Sequence, residues 1–462
     1  MHTAYDEVPY QNVPFPQALP GRHATVATLH GLAPADPRTA RVLELGCYAG
    51  AHLIGVAAAY PRASAVGVDL TASAIKTAQD DVEAAGLENV RFEVADVLEL
   101  TGGELGEFDY VIAHGLYGWV DAPVREAVLA ACRAHLAPDG IAYVSYTVHP
   151  GGHLRVMLRE MAQWHARGLS DPREVAERAR GLFALLDRLG EGGGPSFYSG
   201  VVGEDVRTLA TASEAALVHD LLERDYAPVW FADFAAQAGR HGLTYVGDAI
   251  VESSREPPWS DIVGEFVAEN SGGDRIAYEQ YLDLLVLRRF RHSLLCHADR
   301  APAPRIQPEA VQRLLVAADA DPAELPELLR GALTVALPVP FAEARERAGV
   351  PAGEFTEALV RAFDAGLVAF HTVPPPAATT PGERPRASAL ARSQAREGAM
   401  VTTLLSQVLR ITDQPTAELL RLLDGTRDRA AILAAFDGPL DARLLDASLA
   451  RFAELGLLHP ED

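Results

Sequence analysis

Along the first 150 positions, apolar residues recur in short unbroken runs separated by stretches of helical spacing. Val42-Leu43-Glu44-Leu45, Ala65-Val66-Gly67-Val68-Asp69, Val90-Arg91-Phe92-Glu93-Val94, Asp109-Tyr110-Val111-Ile112-Ala113 and Ile141-Ala142-Tyr143-Val144-Ser145-Tyr146 predict five strands. Runs of this length, bounded by turn residues, mark strands buried on both faces. Between them, residues 51–60, 72–85 and 123–136 carry the helical period, and Pro138-Asp139-Gly140 closes the last. Parallel neighbours need crossover connections of one hand, which places helices on both faces of the sheet. The expectation is a doubly wound, Rossmann-like α/β domain with a parallel sheet.

Ahead of it, residues 5–20 are punctuated by Pro9, Pro14, Pro16 and Pro20 and read as an extended arm, with helical spacing resuming over 21–31. Beyond residue 153 the pattern is mostly helical, with a break at Gly192-Gly193-Gly194-Pro195. A helix from Phe231 to Gly242 feeds a strand at Leu243-Thr244-Tyr245-Val246, which either returns to the main sheet or opens a second domain. Pro374-Pro375-Pro376 through Pro385 is the clearest linker. On either side of it, Glu357 to Val368 resembles Ser448 to Leu458. Each is a helix closed by glycine before an apolar strand start, either a repeated winged-helix unit or two unrelated helix ends.

The chemistry concentrates at Glu44-Leu45-Gly46-Cys47-Tyr48-Ala49-Gly50, between a buried strand and a helix. In open α/β folds ligands bind at this carboxyl edge. Gly46 lets a ligand approach the backbone and Gly50 lets the helix start tightly. A dinucleotide loop would read G-x-G-x-x-G. Here the spacing is G-x-x-x-G with Glu44 two residues before it, which suits a cationic methionine-like tail better than a pyrophosphate. Asp69, nineteen residues after Gly50, ends the second strand and can accept from both hydroxyls of a ribose. Asp96 follows the third strand and can accept from an adenine amino group while Val97 packs on the ring. The fourth strand ends at Ala113-His114-Gly115, where a backbone carbonyl can meet the ligand's ammonium. With Cys47 and Leu70 beside them, these residues predict a site for S-adenosylmethionine (SAM), with S-adenosylhomocysteine as product, rather than for a nicotinamide dinucleotide.

Composition narrows the partners. The 462 residues exceed one ordinary domain, and 48% hydrophobic content is enough for real cores. A formal net charge of −23 disfavours a nucleic-acid partner and favours basic ones. Lys76 is the only lysine, in an ordinary amphipathic pattern, so Schiff-base chemistry is set aside. No apolar run is long enough for a membrane span, and the N-terminus lacks the signature of a secretory signal. Cys47, Cys132 and Cys296 are far apart and form no paired framework, so a cytoplasmic protein with reduced thiols is expected. His149 and His153 flank Pro150-Gly151-Gly152, which prevents a helical pair, and no metal is expected. No G-x-S-x-G elbow, H-E-x-x-H or Walker loop supports hydrolase or nucleotidase chemistry.

Several segments together resemble the class I methyltransferases that carry a methyltransferase regulatory domain, a group containing bacterial protein-lysine methyltransferases. They are Tyr5-Asp6-Glu7-Val8-Pro9-Tyr10, Pro14-Phe15-Pro16-Gln17, Leu43-Glu44-Leu45-Gly46-Cys47, Ala113 through Val120, Tyr143-Val144-Ser145-Tyr146, Pro150-Gly151, Tyr281-Leu282-Asp283 and Arg288-Arg289-Phe290-Arg291. The resemblance covers roughly residues 1–300. The family usually has a small residue where Tyr48 stands, and Tyr and Trp where His149 and Gly152 stand. It implies a SAM-binding domain over 1–215 and a regulatory domain over 216–300. A winged-helix-like module over 301–373, the linker 374–388 and a second such module over 389–462 are expected to follow.

Methyl transfer to a lysine needs the neutral amine, and deprotonation at pH 7 costs about 4.6 kcal/mol from a reference pKa near 10.4. A desolvated aromatic pocket lowers that cost. The candidates are Tyr117 and Trp119 after the fourth strand, Tyr146 and His149 after the fifth, with His149 as proton acceptor and Tyr5 and Tyr10 as a lid. Three functions stay open. The chain is a methyltransferase of a protein or peptide, an O-, N- or C-methyltransferase of a small molecule or peptide natural product, or a non-catalytic SAM-binding scaffold. A homodimer is one assembly the C-terminal modules would allow.

Overall fold

The five expected strands form, as β1 (Arg41–Leu45), β2 (Ser64–Asp69), β3 (Val90–Val94), β4 (Phe108–Ala113) and β5 (Leu136–Thr147). In the computed structural model, which describes Val8, Tyr10 and residues 12–191, 196–222, 225–254, 261–333, 338–397 and 400–461, they pair in parallel in the order β3-β2-β1-β4-β5. The sheet does not stop there. β6 (Leu243–Asp248) and β7 (Phe290–His297) add to its edge, β7 antiparallel to β5 and β6 antiparallel to β7, giving a seven-stranded mixed sheet ordered β3-β2-β1-β4-β5-β7-β6. The all-parallel expectation is corrected on this point, and the strand at 243–246 returns to the main sheet.

Alternate residues of each strand feed two cores. Val42, Tyr110, Ile141 and Tyr143 face α1 (Pro20–Leu29), α2 (Ala51–Ala59) and α3 (Ala72–Ala85). Their neighbours Leu43, Val111, Ala142 and Val144 face α4 (Ala122–His135) and, further along the chain, the helix Phe231–Arg240. Local signals set the ends. Asp121 accepts from the Val124 amide at 3.2 Å to start α4, and Gly86, at φ +64°, ends α3. Apart from His52, α2 is apolar all round because it is buried along nearly its whole length. Val56, Ala59 and Tyr60 pack against Ala377 and Leu404 of the C-terminal region.

After β5 come α5 (Gly152–His165), α6 (Pro172–Glu191) and α7 (Ser196–Thr211), which share a separate apolar cluster around Phe183 that also takes in Val8 of the arm. Next are α8 (Phe231–Arg240, the helix named above), α9 (Asp261–Ser271) and α10 (Arg275–Val286). Arg291 on β7 is fully buried and satisfied by Asp283 at 2.8 and 2.9 Å, Glu279 at 2.9 Å and the Tyr245 hydroxyl at 3.1 Å. These partners anchor α10 to the new edge of the sheet. A charge so deep is tolerated only with such complete pairing.

The C-terminal region holds β8 (Leu315–Ala318), β9 (Val339–Pro340), α11 (Phe341–Ala348), α12 (Ala352–Asp364) and β10 (Val368–His371), with sheet order β10-β8-β9. Then follow α13 (Ala389–Glu397), the hairpin β11 (Met400–Thr402) and β12 (Val408–Arg410), α14 (Gln414–Leu422), α15 (Arg429–Ala435) and α16 (Ala442–Glu454). The two segments alike in sequence end alike. Gly366 and Gly456, at φ +76° and +70°, donate to Phe363 and Ala453, while Leu367 and Leu457 donate to Ala362 and Phe452. Tyr5 and the break Gly192-Gly193-Gly194-Pro195 lie outside the described residues. No helix among the described residues is long and apolar enough to cross a membrane.

Gly50 opens α2 at φ +75°, and a Cβ there would meet the Phe92 ring at 2.5 Å. Gly50→Ala therefore combines a left-handed backbone with a clash against a buried ring. We expect a loss of about 2 kcal/mol, read as a lowered urea midpoint.

Candidate functional site

At the carboxyl ends of β1 to β4 lies a cleft of about 500 Å³, within the range of small-molecule sites. Its floor is the loop after β1. Gly46 and Cys47 donate to the Val68 carbonyl at 2.9 and 3.0 Å, which bends the chain over β2. Tyr48 then takes φ +48°, unusual for a side-chain-bearing residue, and its amide donates to Asp69 Oδ2 at 2.8 Å. The other oxygen, Oδ1, accepts from the Thr71 amide at 2.8 Å. Asp69 thus joins two loops and keeps further lone pairs for a ligand.

Glu44 is 3% exposed, and its Oε2 is buried without a hydrogen-bond partner. Burial, with the charge of Asp69 nearby, pushes its carboxyl up to about 8. A carboxyl so placed at a cleft is satisfied by a cation entering from outside. Asp96 after β3 accepts from the Leu98 amide at 3.0 Å, with Val97 beside it in the lining. His114 after β4 stacks on Phe15 at 3.7 Å between ring centres and approaches the Tyr143 hydroxyl at 2.8 Å. Burial, then His52 and His292, lowers it to about 3, so the ring is neutral.

The roof is the N-terminal arm. Tyr10 donates its amide to the Tyr48 hydroxyl and its own hydroxyl to Asp220 Oδ1, both at 3.0 Å. Asn12 clasps the glycine loop, donating to the Ala49 carbonyl and accepting from the Ala51 amide, again at 3.0 Å. The far wall is Ala216–Leu221, a helical turn widened so that Leu222 donates to Leu217. His219 on this turn meets the Val8 carbonyl at 2.6 Å. Wide turns of this kind often mark functional sites.

Of the residues expected from sequence, Glu44, Gly46, Cys47, Asp69, Leu70, Asp96, Val97, His114, Trp119 and Tyr10 line the cleft together. Gly50 lies behind the loop against Phe92. Tyr117, Tyr146 and His149 are not in the lining. Tyr117 and Tyr146 are each 1% exposed in the core between β5 and α8, where Tyr117 bonds Gln237 and Tyr146 bonds Ser293 at 2.7 Å. Burial pushes the Tyr117 hydroxyl up to about 12. His149 stacks on His153 at 3.9 Å and meets Trp230 at a tilt, with ring centres 5.2 Å apart, and is not in the cleft lining. Among the described residues no three His, Cys, Asp or Glu side chains converge as a metal cluster. Sequence reasoning passed over Asn12, His219 and Asp220 as lining residues. Asn12 lies within the proline-punctuated arm, while His219 and Asp220 lie in an amphipathic helical run that carries no motif.

Three family models match the chain: a methyltransferase domain over residues 42–140, a predicted methyltransferase regulatory domain over 213–297, and the C-terminal winged helix domain of PKMT over 383–451. An uncharacterized protein of Rickettsia prowazekii is 35% identical over 302 residues, which are 64% of this chain and 53% of that one. This chain therefore spans about half of that relative's length. A second uncharacterized protein of the same organism is 30% identical over 236 residues, 51% of this chain and 93% of that one. The structure of PKMT2 from Rickettsia typhi in complex with AdoHcy superposes with a TM-score of 0.81 at 24% identity, covering 97% of this chain and all of that one. Its likeness is one of fold.

The buried hydroxyl of Tyr146 is placed for packing, and Tyr146→Phe is expected to lower unfolding free energy by about 1 kcal/mol in urea titration, the worth of one buried hydrogen bond. A direct role in chemistry would instead show as lost activity at unchanged stability.

Proposed function

The chain belongs to the class I, SAM-dependent methyltransferases that carry a methyltransferase regulatory domain, and on that premise we propose that it methylates amine nitrogens of a protein or peptide, lysine foremost. The observation that carries this reading is the charge of the cleft. Its acidic lining side chains are Glu44, Asp69, Asp96 and Asp220, and no arginine or lysine lines it among the described residues. A cleft lined by acids and by no arginine or lysine favours cations, Glu44 by releasing its proton as one binds, and both the cofactor and a lysine acceptor are cations.

SAM, when bound, supplies a methyl carbon on a sulfonium, open to displacement by a lone pair. The chain's own contribution is to bind, align and exclude water. Glu44 takes the ammonium of the methionine tail, which supplies the partner its Oε2 lacks. Asp69, held by two amides, accepts from the ribose hydroxyls. Asp96 takes the adenine amino group, Val97 packs on the ring, and the carbonyl beside His114 faces the tail. Gly46 leaves room for the ligand against the backbone. Trp119, Tyr10 and Tyr48 surround the remaining space with aromatic faces, which suit an alkylammonium. The likeness to PKMT2, a structure holding AdoHcy, supports the same reading.

Incubation with labelled SAM and fractionated lysate tests it. Label on protein, mapping to lysine, is the expected result. Label on small molecules instead favours the natural-product reading, and SAM binding without any transfer favours a scaffold.

Two further outcomes concern the cofactor. Asp69→Ala should weaken SAM binding by at least about 100-fold in calorimetry, since it removes both the ribose acceptor and the loop's anchor. Because the free Glu44 carboxyl titrates at about 8 and a bound ammonium favours its ionised form, binding at pH 7 releases a proton. SAM affinity should then rise with pH by up to about tenfold per unit below 8 and level off above it. Glu44→Gln should flatten that profile.

A further inference from the structure

One acidic group of the cleft has no part in holding the cofactor. Asp220 lines the cleft from the widened turn Ala216–Leu221, joined through Tyr10 to Tyr48 of the loop after β1. Its carboxylate is half-buried, and the Tyr10 hydroxyl donates to Oδ1 at 3.0 Å. The nearby Arg155 guanidinium donates to the main-chain carbonyl of Asp220, and among the described residues no cation makes an ion pair with its side chain. Burial of this carboxylate is offset only in part, by the Tyr10 hydroxyl and by the charge of Arg155 acting without a contact ion pair. Burial accordingly pushes this carboxyl above its ordinary range. A carboxylate in the cleft lining with no contact ion pair has lone pairs left for a cationic ligand.

Resting on the reading of an amine acceptor, we propose that Asp220, aimed by Tyr10, is the catalytic residue that receives the acceptor's ammonium and takes one proton from it. The carboxylate of Asp220 accepts a hydrogen bond and then a proton from R–NH3+, leaving R–NH2. The freed lone pair on nitrogen forms the new bond to the methyl carbon. The carbon–sulfur bond breaks with its electron pair remaining on sulfur, which becomes a neutral thioether. The product is R–NH2–CH3 carrying one positive charge, so charge and atoms balance. Tyr10 has a second duty here. Its ring meets Tyr48 edge-on at 6.1 Å and His219 at 5.6 Å, forming an aromatic wall beside the carboxylate where the lysine's methylenes would run. The same tyrosine joins the arm, the glycine loop and the turn that carries Asp220, so the acceptor subsite exists only while the arm is in place.

The test compares the wild-type chain with Asp220→Asn and Tyr10→Phe. The probes are a short synthetic peptide with one lysine and the same peptide with that lysine acetylated. Binding is measured by calorimetry on protein loaded with S-adenosylhomocysteine, and turnover is measured with SAM. Asp220→Asn should keep S-adenosylhomocysteine affinity within about twofold while weakening the lysine peptide about tenfold and lowering kcat/KM about 100-fold. Tyr10→Phe, a variant that keeps the ring, should lower kcat/KM about tenfold with the loss mostly in kcat. The acetylated peptide should not bind to any of the three. If the wild type handles the lysine peptide and Asp220→Asn does so equally well, or if that variant loses S-adenosylhomocysteine affinity instead, the assignment of Asp220 falls while the amine reading stands. If the wild type neither binds nor methylates the lysine peptide, both fall.

Discussion

The shape of the cleft depends on one carboxylate and the two amides it accepts. Asp69 ends β2, and its oxygens hold the Tyr48 and Thr71 N–H groups at 2.8 Å each. The first bond pins the loop after β1, in which Tyr48 takes a left-handed backbone that costs an ordinary residue about 1 kcal/mol. The second sets the entry to α3. With both made, the loops after β1 and β2 share a wall, Glu44 is shut away beneath it, and the arm finds a fixed Tyr48 hydroxyl to bond. Remove the carboxylate and the floor, the wall and the seat of the roof lose their common support.

That arrangement brings like charges together. Burial raises the Glu44 carboxyl, and the nearby charge of Asp69 raises it further. A fold selected for stability alone would place an amide or an apolar residue there. The unfavourable electrostatics make sense if a cation completes the site. On the proposed reading, the methionine ammonium would favour the ionised Glu44 carboxylate that burial and Asp69 disfavour, which places binding energy beside the reacting group. The neutral His114 ring fits the same logic, since a charged imidazole beside the tail would oppose it.

The half of the cleft formed by β1 to β4 was legible because buried parallel strands read as continuous apolar runs, and loops at their carboxyl ends face one rim. Glu44, Asp69 and Asp96 follow from counting strand ends. The opposite half was not. β7 carries Arg291, His292 and Ser293 at positions where a buried strand should be apolar, so its pattern is hidden until Asp283 and Glu279 are seen to satisfy the arginine. His219 and Asp220 lie in a helical run whose widened turn has no sequence signature. Tyr117 and Tyr146 looked reactive because of where they stand relative to the strand ends, yet ring packing with Phe234, at 5.3 and 4.1 Å, draws both into the core behind α8. Position along a strand limits which edge a side chain is near; packing decides which side it serves.

The region matched by the regulatory-domain model is therefore part of the catalytic unit in physical terms. Its strands β6 and β7 complete the sheet, and its turn at 216–221 walls the cleft opposite the cofactor loops. On the proposed reading, the first half of the molecule is constrained by the cofactor, whereas the turn and the arm border the acceptor's side of the cleft. His219 and Asp220 lie outside the two bonds by which Asp69 holds the loops after β1 and β2. A fold shared with all of PKMT2 at 24% identity is compatible with a rim whose geometry is set by backbone and a few acids.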